Sequence, residues 1–300
     1  MEKPYILHAI TAVKAVSPFD INMACDAGYG IIAPYTNVET GEVPGLVQDM
    51  IFSRAPGDAK RTGLFIAGRD ILKALDMLEA ARGAMVPPFE ISVFADPSGA
   101  YTTAAAMIAK VEAQLEKTGM GLAGARVAVF GGKGPVGGIA AVLAARAGAS
   151  VRLVGHDGAA SVAERAASYI QRFGVTLGAV DGSTDAHKAA ILEETDVVLA
   201  VARAGVQVLS RAQIAAAPSV RVVADVNAVP PAGVEGVDAF SDGAPIEGTD
   251  AVGLGALAIG NVKFKTQHGL FKAMREATKP VYLAFDDAFT LARAQCRKAD

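Results

Sequence analysis

Apolar residues along the chain follow two alternating rhythms. Short runs rich in β-branched and aromatic residues at 5–8, 31–35, 63–67 and 91–95 predict strands. Between them apolar positions recur every three to four residues, as at 71–81, and predict helices. A second series follows, with strands predicted at 126–130, 151–154, 175–180, 196–201 and 222–225. Strands that alternate with helices predict parallel sheets with crossover helices, so the fold class is α/β.

Between the two series, residues 101–115 are Ala-rich and helical in pattern, and "KTGMGLAGAR" then supplies connector glycines. This places a boundary near Lys117. The expected organisation is two α/β domains, one at 1–117 and one at 118–279. The tail predicts a helix, a break at Pro280 and an amphipathic helix over 280–300 that packs back on the first domain. Two lobes joined in this way predict a cleft between them.

Three hundred residues, 52% of them hydrophobic, exceed one compact domain and can bury substantial cores. The net charge of -3 comes from mixed acids and bases without a basic stripe, which argues against nucleic acid as a partner. No apolar run reaches membrane-spanning length and the first residues show no cleavable leader pattern, so a soluble cytoplasmic protein is expected. Cys25 and Cys296 lie far apart and read as reduced core thiols. His8, His156, His187 and His268 lack zinc-like pairing, and no metal is expected.

One stretch changes the picture from fold to chemistry. In "RVAVFGGKGPVGGIAAVLAARAG" an apolar strand runs into Gly132, Gly134 and Gly137 in G-x-G-x-x-G spacing, and an Ala-rich helix follows through Pro135 and Val136. The first glycine permits a tight turn, the second admits a pyrophosphate to the backbone, and the third lets helix pack on strand, so 118–279 is expected to be a Rossmann-like nucleotide domain and 1–117, with the helix at 280–300, the substrate domain. About twenty residues on, Asp157 in "GHDG" either reads a ribose or caps the next helix. His156 either faces a 2′-phosphate or lies in solvent. With no arginine directly after this strand, NAD or dual NAD/NADP use is expected over strict NADP use. Ala202 and Gly205, after the 196–201 strand, leave room for a nicotinamide ring, or are ordinary loop residues. Asn227 either contacts nicotinamide or substrate or forms a turn.

The stretches "SPFDINMACDAGY", "IFSRAP", "FADPSGAYTTAAAM", "FGGKGPVGG", "DVNAVPPAGVEGVDA" and "GLGALAIGNVKFK" occur in this order along most of the chain. Together they resemble the methylene-tetrahydromethanopterin dehydrogenase family. The resemblance implies direct hydride transfer from methylene-tetrahydromethanopterin to NAD(P)⁺, giving the methenyl compound. "GHDG" is more similar to members that accept both nucleotides. The fold also resembles methylene-tetrahydrofolate dehydrogenase/cyclohydrolase, but none of the six tyrosines is followed four positions later by Lys, which counts against cyclohydrolase activity.

Loss of hydride from a carbon between two nitrogens leaves a stabilised cation, so no proton transfer by protein is required. Alignment, exclusion of water and compensation of positive charge suffice. Asp20 is the carboxylate expected to face that charge or bond the pterin, or else it caps the helix at "INMACDAG". Asp96, Thr102 and Thr103 either hold pterin heteroatoms or organise the "DPSG" turn and the helix start. Lys263, beside Lys265 in "NVKFK", either orients the pterin or lies on a solvated face, and the resemblance favours a substrate role. A homo-oligomer is the expected assembly. The competing readings are a methylene-tetrahydrofolate or other small-substrate NAD(P) dehydrogenase in the same scaffold, and a non-catalytic nucleotide-sensing module.

Overall fold

The computed structural model describes residues 3–297. Its elements begin with β1 (Ile6–Ile10), α1 (Pro18–Asp26), β2 (Ile31–Tyr35), α2 (Val43–Phe52), α3 (Pro56–Ala59), β3 (Thr62–Ile66), α4 (Ile71–Gly83) and β4 (Ser92–Ala95). The long helix α5 (Ala100–Lys117) leads to β5 (Arg126–Phe130), α6 (Pro135–Arg146), β6 (Ser150–Gly155), α7 (Ala160–Phe173), β7 (Leu177–Asp181), α8 (Asp185–Glu193) and β8 (Val197–Ala200). Then come α9 (Arg211–Ala215), β9 (Val222–Asp225), β10 (Asp242–Pro245), β11 (Val252–Leu254), α10 (Ala256–Glu276), β12 (Tyr282–Leu283) and α11 (Phe285–Arg297).

Two sheets form, as the alternation predicts. The first is parallel throughout in the order β12-β4-β3-β1-β2. The second runs β10-β11-β9-β8-β5-β6-β7, with only β10 antiparallel to its neighbour. Its inner strand β8 reads as an unbroken apolar run and is buried at every position. A strand covered by helices on both faces has no solvent side to alternate toward. The chain leaves β5 for β6 on one side and later returns to β8 on the other. The C-terminal ends of β5 and β8 are therefore the point where strand order reverses, where open α/β sheets bind ligands.

The chain divides into two compact units. One runs to Thr102 and takes in Phe264–Leu291; the other holds Thr103–Lys263 and continues from Ala292. These limits differ from the expected ones in three ways, one being that α11 from Ala292 onward goes with the second unit and not with the first. The first division falls inside α5 and not near Lys117, because the turn at Asp96 fastens the first turn of that helix to the end of β4. The second half of α10 belongs with the first sheet. Its Phe271 is fully buried, with ring centroids 4.9 Å from Phe65 and 5.1 Å from Phe94. Aromatic burial of this kind dominates core energetics, so the helix goes with its aromatic partners regardless of its place in sequence. The cysteines also depart from expectation: Cys25 is exposed on α1 and Cys296 is half-buried on α11, so neither is a core thiol.

Candidate functional site

The glycine loop is set by packing on both of its sides. Gly131 has φ +101°, a left-handed conformation, and a Cβ there would lie 2.6 Å from the backbone of Val201 and Ala202. Only glycine meets both conditions. Gly132 is a central residue of the turn closed by Gly134 N donating to Gly131 O at 3.0 Å, and its missing Cβ makes room for Leu153 at 2.7 Å. Gly137 has its expected role: a Cβ would stand 2.7 Å from Val201 and 2.8 Å from the Gly131 carbonyl, so helix closes on strand. Gly138 adds a contact that spacing did not single out, with the Tyr169 hydroxyl in the place of its Cβ.

Gly134 is the N-cap of α6, extended at φ -74° and ψ 163°, and no side chain caps the helix. The first-turn N–H groups of Val136 and Gly137 precede the intrahelical bonds, which begin with Gly138 donating to Gly134 at 2.9 Å. Uncapped donors at the positive end of a helix dipole, beside a loop of glycines and one lysine, suit a pyrophosphate.

Strand β6 continues through Gly155, one residue past its expected end, so His156 and Asp157 follow it directly. Asp157 does not occupy the N-cap of α7, which is Ala159. Its carboxylate lies 3.9 Å from Lys133 Nζ of the glycine loop and 3.6 Å from His156 Nδ1. The His156 side chain is 85% exposed. Lys133, Ser161, Glu164, Arg165 and Ser168 line a cavity of about 320 Å³ beside this pair.

Beyond β8, Ala202 abuts the glycine loop and Gly205 turns with φ +75°. Asn227 braces this segment against the one after β9. Its Oδ1 accepts from Gly205 N at 3.1 Å and from Val229 N at 3.0 Å, and its Nδ2 donates to Pro231 O at 2.8 Å. The turn-forming alternative for Asn227 is the one this geometry supports. Asp225 closes the same loop by accepting from the N–H groups of Asn227 and Val234. Burial pushes its carboxyl above the ordinary carboxylate range, against the pull of the backbone N–H groups of Asn227, Val234 and Gly233.

In the first unit, Ser17 caps α1 by accepting from Phe19 N, so Asp20 is not the cap. Asp20 lies inside the helix, 3% exposed, and accepts a 2.8 Å bond at Oδ1 from Gln267 Nε2 on α10. Gln267 is fully buried. Lys263 is half-buried four residues earlier, a spacing that shares one helix face with Gln267, while Lys265 is exposed. Asp96 and Thr102 are bonded to each other and to the helix start. Asp96 Oδ1 accepts from Tyr101 N at 2.9 Å and Thr102 N at 3.2 Å, its Oδ2 accepts from the Thr102 hydroxyl at 2.6 Å, and both residues are fully buried. They hold the start of α5 by answering its orphan N–H groups. Thr103 is half-buried one position on. The turn before it carries Ser98 at φ +53°, its hydroxyl donating to Gly68 O at 2.6 Å.

Residues 18–98 match the family model described as methylene-tetrahydromethanopterin dehydrogenase, N-terminal. Over 288 residues, 96% of this chain and 97% of the relative, the sequence is 47% identical to an NAD(P)-dependent methylenetetrahydromethanopterin dehydrogenase of Methylorubrum extorquens. This chain belongs to the methylene-tetrahydromethanopterin dehydrogenase family. A second relative from that organism, the bifunctional protein MdtA, is 32% identical over 92% of this chain and 94% of its own length. Among solved structures, the shikimate 5-dehydrogenase of Listeria monocytogenes superposes with a TM-score of 0.56 at 12% identity, covering 96% of each chain, a likeness of fold alone.

The N-terminal model of the methylene-tetrahydromethanopterin dehydrogenase family spans both Asp20 and Asp96. Sequence reasoning missed Gly131, Lys133, Gly138 and Gln267. Gly131 had a signal, since it is the first residue after the β5 pattern and the strand must turn there. Gln267 had none, because its partner stands 247 positions away. Among the described residues no helix is long and apolar enough to cross a membrane.

Proposed function

We propose that this chain oxidises methylene-tetrahydromethanopterin to methenyl-tetrahydromethanopterin by direct hydride transfer to NAD⁺ or NADP⁺, in the cytoplasm and as a homo-oligomer. The observation that carries this reading is family membership running through both compact units, together with a glycine loop whose missing side chains and uncapped helix suit a dinucleotide. NAD(P)⁺, when bound, supplies the hydride acceptor at nicotinamide C4.

The chain's own residues bind, orient and compensate charge. Backbone N–H groups at the start of α6 hold the pyrophosphate, and Asp157 accepts from the adenosine ribose. Ala202 and Gly205 leave space for the nicotinamide half, and Asn227 keeps that loop in shape through the bonds at Gly205 and Val229. Asp20 is the carboxylate that answers the positive charge developing on the pterin, with Gln267 fixing its orientation. Lys263, on the same helix face as Gln267, positions the pterin, and Thr103 contributes a hydroxyl beside the capped start of α5. No residue serves as an obligatory base, because the methenyl cation forms without loss of a proton.

The test follows nucleotide reduction by absorbance with methylene-tetrahydromethanopterin and methylene-tetrahydrofolate side by side, the transferred hydrogen being labelled. Label on reduced nicotinamide with no exchange into water, and faster turnover of the methanopterin substrate, is the expected result. Label in solvent during a single turnover refutes direct transfer. Preference for the folate refutes the substrate, and nucleotide binding without reduction by either donor makes the chain a sensor.

A further inference from the structure

The glycine loop carries a cation that a pyrophosphate cradle does not need. Lys133 projects from the loop between β5 and α6, 45% exposed, with its ammonium 3.9 Å from the carboxylate of Asp157 after β6. In this architecture an acid just past the second strand accepts hydrogen bonds from the adenosine ribose hydroxyls. The same acid repels a phosphate on the 2′ oxygen, since two anions then share one spot. A cation within reach of that spot reverses the repulsion.

Lys133 is placed to do this, and it does not stand alone. The adjoining cavity of about 320 Å³ is lined by two cations, Lys133 and Arg165, two hydroxyls, Ser161 and Ser168, and one carboxylate, Glu164. His156 is a weaker candidate, because its side chain is 85% exposed and the cavity lining does not include it.

We infer that Lys133 and the cavity it forms with Ser161, Arg165 and Ser168 receive the 2′-phosphate of NADP⁺, while Asp157 reads the 2′-hydroxyl of NAD⁺, so that one site accepts either nucleotide. The inference rests on the nucleotide-binding reading and deepens it. With NAD⁺ bound, Asp157 accepts from the ribose and Lys133 remains its counter-ion. With NADP⁺ bound, the flexible lysine turns to the phosphate and neutralises the charge set beside Asp157. Acceptance of both nucleotides then comes from an amine and an acid a few ångströms apart, on loops that follow two neighbouring strands.

The experiment measures equilibrium binding by calorimetry, without pterin or turnover, for NAD⁺, NADP⁺, 5′-ADP and 2′,5′-ADP. Lys133→Ala should weaken NADP⁺ and 2′,5′-ADP by about tenfold or more while NAD⁺ and 5′-ADP stay within about twofold. Lys133→Arg should keep NADP⁺ binding, and Asp157→Asn should weaken NAD⁺ while leaving NADP⁺ unchanged or tighter. Equal weakening of both nucleotides by Lys133→Ala makes the lysine a pyrophosphate contact and overturns the inference, as does no change in either. A natural protein that binds both nucleotides alongside a non-discriminating Lys133→Ala overturns this inference alone. A natural protein that binds neither overturns the nucleotide reading, and this inference with it. An unchanged unfolding midpoint of each variant shows that the affinities report the site.

Discussion

Adding one methyl group at Gly137 should damage the nucleotide site, although the same change elsewhere in a helix should stabilise the protein. In Gly137→Ala the new Cβ would lie 2.8 Å from the Gly131 carbonyl oxygen and 2.7 Å from Val201 Cγ2. An unstrained contact begins near 3.4 Å, so the glycine loop must retreat by roughly half an ångström, and the obstruction on one side is backbone. Overpacking of this kind costs about 1–3 kcal/mol. Replacing a helical glycine by alanine returns about 0.5–1 kcal/mol, which leaves a net loss of up to about 2.5 kcal/mol. Hydrogen bonds from the loop to a charged phosphate are worth about 1.5–3 kcal/mol each, and weakening even one lowers affinity about tenfold or more. Calorimetric titration with NAD⁺ and NADP⁺ and a thermal melt test both effects, with both nucleotides expected to weaken together. Gly45 in the first turn of α2 is the control, exposed and with nothing within 4 Å of an added Cβ, so Gly45→Ala should raise stability by up to about 1 kcal/mol. A Gly137→Ala protein as stable as the natural one, with unchanged affinity for both nucleotides, refutes the packing argument and the pyrophosphate assignment together.

Asp20→Asn should lower kcat for the pterin by about 10²–10³-fold if Asp20 faces the developing cation, with little change in KM. Gln267→Leu should lower kcat less, by about tenfold, since it removes one bond to a carboxylate and leaves the charge; an unchanged kcat removes Gln267 from the positioning role. Asp196 gives a pH test of stability. Burial raises its pKa, but the bonds from Arg126 N, Nε and the terminal nitrogen at 2.8, 3.0 and 2.6 Å, with the guanidinium charge, hold the carboxyl below its usual range. A carboxyl depressed on folding adds stability that is present above its unfolded pKa of about 3.9 and is lost as pH falls through the folded value. Asp196→Asn should therefore lose about 1–2 kcal/mol at pH 7, screened by the half-exposed arginine, and the gap to the natural protein should close below about pH 4. Denaturant unfolding from pH 3 to 7 reads this, and a gap independent of pH counts against the pair.

The alternation of short apolar runs with helical patterns was enough to establish two parallel sheets, because strands covered on both faces and helices covered on one leave local signatures. The glycine spacing located the loop proposed to hold the nucleotide for the same reason, since a turn followed by an uncapped helix is a local arrangement. The motifs named the family in order along the chain. Which neighbours the loop glycines make room for was decided by the tertiary structure, because Gly131 faces Val201, the residue after β8, and Gly132 faces Leu153 on β6, segments that meet β5 only after folding. The short β10, β11 and β12 escaped notice because their sequences DGAP, VGL and YL hold no sustained apolar run, and it is the pairing of β10 with β11, β11 with β9 and β12 with β4 that makes them strands. Asp96 and Asp20 look alike as isolated carboxylates in a sequence. Folding spends the first on the N–H groups at the start of α5 and sets the second against Gln267, a difference that rests on hydrogen-bond partners a linear pattern does not contain.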